Sequence, residues 1–149
     1  MKLRMTNMPP PIALCIAALL GCHSLAHAQE TPAAPALTLE LNGAEPSDKG
    51  CRLTFVVNNA LGGELSRASF EIALFDDHGA VDRITVLDFK ELPAGKTKVS
   101  RFDLPRTDCA KISRVLVNTA TNCSGEGIAP EACLRALKPE TRTNIKFGL

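Results

Sequence analysis

From Leu37 onward the chain alternates apolar and polar residues in short blocks. Leu37-Thr-Leu-Glu-Leu41 alternates strictly, Arg52-Leu-Thr-Phe-Val-Val57 sets Leu53, Phe55 and Val57 on one side, and Ser69-Phe-Glu-Ile-Ala-Leu-Phe75 sets Phe70, Ile72 and Leu74 on one side. Successive strand side chains point to opposite faces, so a period of two predicts half-buried strands. Arg83–Phe89, Lys98–Leu104, Ile112–Val117 and Thr143–Phe147 read the same way, which makes about seven strands. Turn formers separate them: Asn58 and Asn59 with Gly62 and Gly63, then Asp76-Asp77-His78-Gly79, then Pro93-Ala94-Gly95. The spacing leaves no room for crossover helices between Leu37 and Val117, so the strands are expected to pair antiparallel in an all-β sandwich. One short C-terminal helix is expected over Pro130–Leu137, opened by Pro130 and stopped by Pro139.

The N-terminal segment carries a different pattern. Lys2 and Arg4 precede the apolar run from Ile12 to Leu20, and Ala26-His27-Ala28 follows before Gln29. These are the three parts of a secretory signal, with cleavage expected after Ala28 and a periplasmic destination. The apolar run is shorter than the roughly 20 residues a membrane span requires, and no later stretch approaches that length. Leu19-Leu20-Gly21-Cys22 offers a rival, a lipobox that would lipidate Cys22 and hold the protein at a membrane. The expected organisation is a signal over 1–28, a flexible Pro- and Ala-rich lead over 29–36, and one domain over 37–149.

Composition adds little to that division and charge adds more. The 149 residues are 45% apolar and 22% charged, with a net charge of +1, which argues against a nucleic-acid-binding surface or an acidic tail. Removing Lys2 and Arg4 leaves 15 basic against 16 acidic residues, unevenly placed. Residues 29–89 carry 4 basic and 10 acidic side chains, and residues 90–149 carry 11 basic and 6 acidic. Strands of the two halves lying side by side would interleave these charges, whereas segregated halves would give a polarised surface.

Four of the six cysteines, Cys51, Cys109, Cys123 and Cys133, fall in the expected domain. An even number in an exported domain predicts two disulfides. Alternating strand direction puts Cys51, opening the second strand, at the same end as Cys109, which follows the fifth. It puts Cys123, past the sixth strand, roughly 20 Å away, too far for a bridge to either. Cys51–Cys109 and Cys123–Cys133 are the expected pairs. The intervals of 58, 14 and 10 residues lack the close C-x-x-C pairs of zinc or redox sites.

Three segments together resemble immunoglobulin-like bacterial envelope domains of the FxLYD type: Leu53-Thr-Phe-Val-Val-Asn-Asn, Phe70-Glu-Ile-Ala-Leu-Phe-Asp-Asp-His-Gly, and Leu92-Pro-Ala-Gly-Lys. The whole chain also resembles small exported proteins of alphaproteobacteria. The resemblance implies an immunoglobulin-like sandwich and brings no catalytic residue with it.

Candidate chemistry is sparse. His78 is the sole histidine after the signal and lies in a turn, where a nucleophile triad would require it buried beside a Ser or Cys. Asp76, Asp77 and Asp82 lack calcium-loop spacing, and Ser124-Gly-Glu-Gly127 lacks the Lys-Ser/Thr of a phosphate loop. Glu126 has no partner carboxylate at a fixed spacing. No metal or cofactor is implied. The most suggestive polar feature is a basic cluster of Lys90, Lys96, Lys98, Arg101, Arg106, Lys111 and Arg114, expected on adjacent strands and thus able to share one face. The expected function is a non-catalytic binding or accessory module using a strand edge or this basic face. Its partner would be an envelope protein or an anionic envelope component. A small hydrolase or redox enzyme, or a structural lipoprotein anchored through Cys22, are the alternatives.

Overall fold

A computed structural model describes residues 33–149. The expected signal, its cleavage site after Ala28 and Cys22 lie outside the described residues. Of the expected flexible lead, residues 29–32 also lie outside them, Ala33 to Pro35 are exposed and irregular, and Ala36 begins the first strand.

Eight strands form two four-stranded sheets. They are β1 (Ala36–Ser47), β2 (Gly50–Ala60), β3 (Leu65–Phe75), β4 (Val81–Leu92), β5 (Thr97–Pro105), β6 (Arg114–Ser124), β7 (Leu137–Thr141) and β8 (Lys146–Gly148). One sheet runs β5-β2-β1-β7 and the other β4-β3-β6-β8. The pairing of the second strand with the fifth and the third with the sixth is the immunoglobulin arrangement.

The all-β sandwich expected from the alternation is present, with two differences at one side. An eighth strand, β7, begins at Leu137, the last residue of the expected helix, and runs through its Pro139 stop to Thr141. The helix itself, α1, is a single turn, Ala132–Arg135. And the sheets are not wholly antiparallel: β7 pairs parallel to β1, and β8 parallel to β6. Pro139 is compatible with β7 because that strand is a sheet edge, where a missing N–H need not break the ladder.

The inward residues are those the period-two pattern selects. Leu37, Leu39 and Leu41 of β1 face Leu53, Phe55 and Val57 of β2 within one sheet, and Phe70, Ile72 and Leu74 of β3 close the core from the other. Phe55, Phe70, Phe89 and Phe102 pack edge to face, with neighbouring centroids 5.0 to 6.1 Å apart, an arrangement that suits the ring quadrupoles.

Both expected disulfides form, Cys51–Cys109 with alpha carbons 5.0 Å apart and Cys123–Cys133 with 5.8 Å. The pairing holds although Cys123 lies within β6, whose strand is longer than its apolar pattern, and not beyond its end. The first bridge ties the start of β2 to a one-turn helix, Cys109–Lys111, after β5. At that corner Gly50 has φ +148°, and a side chain there would run into the Leu104 carbonyl.

Asn59 is buried, and all of its side-chain groups are paired. Its Nδ2 donates to the carbonyls of Gly63 (2.9 Å) and Leu92 (2.8 Å), and its Oδ1 accepts from Leu61 N–H (3.1 Å). It therefore joins the β2–β3 connection to the end of β4.

Candidate functional site

The basic cluster is divided by the fold. β4 and β5 are consecutive in sequence but are the edges of different sheets, so their connection at Pro93–Lys96 crosses the open side of the sandwich. Lys90, Lys96, Lys98 and Arg101 lie along this β4–β5 side. Arg106 and Lys111 line a cleft at one end of the sandwich, and Arg114 stacks over the Phe75 ring at 5.3 Å. The seven residues thus do not share one face, because adjacency in sequence is not adjacency in a sheet.

Two side chains draw the β4 and β5 edges together. Lys98 Nζ, from β5, donates to the carbonyls of Phe89 (3.0 Å) and Glu91 (2.8 Å) on β4, with the Glu91 carboxylate at 3.6 Å. Arg83, from β4, reaches the carbonyl of Pro105 at the end of β5 (2.9 Å). Near the Lys98 contact β4 is bulged at Lys90, whose φ is +61°. Asp88 holds that bulge. Its carboxylate accepts from Arg67 Nη2 and Lys90 Nζ, both at 2.7 Å, and from Ser69 Oγ and Lys90 N–H, both at 3.0 Å. Hydrogen bonds from Arg67 and then Lys90 hold its pKa far below the ordinary carboxylate range, against an opposing desolvation.

β5 is different. Its register with β2 is continuous over nine pairs, from Asn58↔Thr97 to Gly50↔Pro105, without a bulge. Bonds at either end fix the phase of the ladder: Asn59 N–H donates to Lys96 O (3.3 Å) and Arg106 N–H to Lys49 O (2.9 Å). Hydrogen-bonded pairs recur every second residue, so Lys98, Ser100, Phe102 and Leu104 direct their backbone groups to β2. Thr97, Val99, Arg101 and Asp103 direct theirs away from the sheet, and among the described residues nothing pairs with them.

The side chains beside this edge are apolar and basic. Among the described residues the exposed large apolar side chains are Val81 (53%), Ile84 (57%) and Val86 (50%) on β4, Val99 (57%) on β5, and Leu149. Both strands carry apolar residues in each phase of the alternation. Leu87 and Phe89 turn inward while Ile84 and Val86 turn out, and Phe102 and Leu104 turn inward while Val99 turns out. Arg101 and Lys96 are exposed and make no ion pair among the described residues. Asp103 is neutralised by Arg52, which reaches it at 3.0 and 3.3 Å, and this hydrogen bonding lowers the Asp103 pKa.

The end cleft encloses about 390 Å³ and mixes signs, with Asp76, Asp77, His78, Asp82, Asp108, Arg106 and Lys111 on its walls. Several of its acids have local work: Asp76 accepts from His78 N–H and Ala80 N–H, and Asp108 from Ala110 N–H. His78 is 87% exposed at its side chain and lies 3.5 Å from Asp77. The Ser124–Gly127 loop is a packed turn, since a side chain on Gly125 would meet the carbonyl of Glu64. Glu126 is in that same turn. Among the described residues no group of His, Cys, Asp or Glu side chains is arranged to hold a metal ion.

The chain matches no family model, and no curated protein or solved structure is significantly similar to it.

Proposed function

We propose that the protein is an exported binding or accessory module of the cell envelope, non-catalytic, which engages its partner through the β4–β5 side. The observation that carries this reading is the exposure of Val81, Ile84 and Val86 along β4, and of Val99 with Arg101 and Lys96 along β5 and the connection before it, two edge strands that Lys98 and Arg83 tie together. Isolated exposed apolar residues are ordinary, but a group of them rimmed by charge marks interaction surfaces. The two disulfides fit an extracellular or periplasmic protein. No helix among the described residues is long and apolar enough to cross a membrane.

The test is a variant that makes the side polar, Ile84→Ser with Val86→Ser and Arg101→Ser, compared with Lys138→Ser on the opposite edge strand β7. All four positions are exposed, so both variants are expected to melt close to the wild type. Recovery of crosslinked partner from the native envelope should fall by roughly tenfold or more for the triple variant and stay unchanged for the control. Equal recovery from both would remove the β4–β5 side from consideration.

A further inference from the structure

The sandwich has four sheet edges, and three of them are protected. β7 is five residues long and contains Pro139, and β8 is three residues long. β4 is bulged at Lys90, and Lys98 occupies two of its carbonyls. Such devices are how proteins prevent their edges from pairing with other chains. β5 has neither bulge nor internal proline, and it points the N–H and C=O groups of Thr97, Val99, Arg101 and Asp103 outward, where among the described residues they have no partner.

We infer that β5 is an acceptor edge, and that an acid-bearing extended segment of another envelope protein adds to it as a ninth strand. This rests on the reading of the β4–β5 side as the binding surface, and it commits that reading to one strand and one ligand chemistry. Backbone pairing along β5 supplies register-independent affinity, and side-chain pairing supplies the selection. On the outer face the incoming strand lies beside Thr97, Val99 and Arg101. On the inner face it lies beside Lys98, Ser100 and the half-buried ring of Phe102. Carboxylates opposite Arg101 and near Lys96 find cations with no other ion-pair partner among the described residues, whereas Asp103 is already matched by Arg52. A second copy of this chain offers Arg101 less: antiparallel pairing of β5 with itself about Arg101 opposes two guanidinium groups, pairing about Val99 opposes Arg101 and Thr97, and pairing about Phe102 opposes Arg101 and Asp103, an acid already held by Arg52.

The test places a photoreactive side chain at Val99 or at Ile84 of the full chain, in cells that produce it, and sequences the peptide joined at each position. The expected adduct at position 99 is an extended segment of a different protein, rich in Asp and Glu. Val99→Pro beside an unchanged photoreactive group at Thr97 removes one outward N–H and should lower the yield by about tenfold, and Arg101→Glu should do the same. An adduct at position 84 without one at 99 overturns the acceptor edge and leaves the broader binding surface standing. Absence of adducts at both overturns both. Joining to a second copy, to lipid, or to a segment without acidic residues overturns the assignment of the partner.

Discussion

Replacing Asn59 by alanine would leave the carbonyls of Gly63 and Leu92 and the N–H of Leu61 without their present partner, with the Leu92 carbonyl fully buried and the other two partly so. Buried polar groups stripped of a partner carry their full desolvation cost, so Asn59→Ala is expected to lose about 2 to 3 kcal/mol, readable by urea denaturation. The sequence marks Asn59 only as a turn former, because its second role depends on Leu92, brought near by the fold. Asp88 is likewise unremarkable in the sequence, one acid in an alternating strand. Its folded-state pKa lies below the ordinary value, so the unfolded chain takes up the proton first as pH falls. Its contribution is therefore present above about pH 4 and lost progressively below it. Asp88→Asn should be less stable at neutral pH and lose less stability on acidification than the wild type. Parallel acid dependences of the two would contradict the role given to Asp88.

At the scale of elements, the alternation made β1, β2 and β3 legible, including which face turns inward, since one phase of each is a run of large apolar residues and the other carries the polar ones. In β4 and β5 both phases carry apolar residues, and the sequence does not say whether Ile84 and Val86 or Leu87 and Phe89 fill the core. β7 was hidden because Leu134, Leu137 and Pro139 fit the end of a helix as well as an edge strand, and its pairing with β1 is parallel and distant in sequence. The phase of β5 has a direct consequence. Val99→Pro removes an N–H with no partner among the described residues and should cost under about 1 kcal/mol, while Ser100→Pro removes one that faces β2 and should cost about 3 kcal/mol or more. Comparable losses from both would place the phase in error. The two disulfides differ in the same measurable way. On the chain-entropy estimate the 58-residue closure by Cys51–Cys109 contributes about 4 kcal/mol and the 10-residue closure by Cys123–Cys133 about 2.7 kcal/mol. Replacing each pair with alanine should preserve that order in denaturant unfolding.

For the whole molecule, the uneven charge of the two halves is partly resolved by the topology. β5 and β7 from the basic half flank β2 and β1, and β6 lies against β3, so each sheet sets basic segments beside acidic ones, as in the Arg142–Glu40 pair at 2.9 Å. The basic cluster was legible as residues and not as a surface, because the β4–β5 connection changes sheets and scatters its members over a side, an end cleft and an outer face. What remains concentrated is the β4–β5 side, where β5 is the unprotected edge among the described residues. Amide hydrogen exchange of the isolated protein against its purified native complex tests that claim most directly. Slowing confined to residues 81–105, strongest at the amides of Thr97, Val99, Arg101 and Asp103, is the expected result. Slowing instead along β7, at α1, or around the His78 cleft would contradict it.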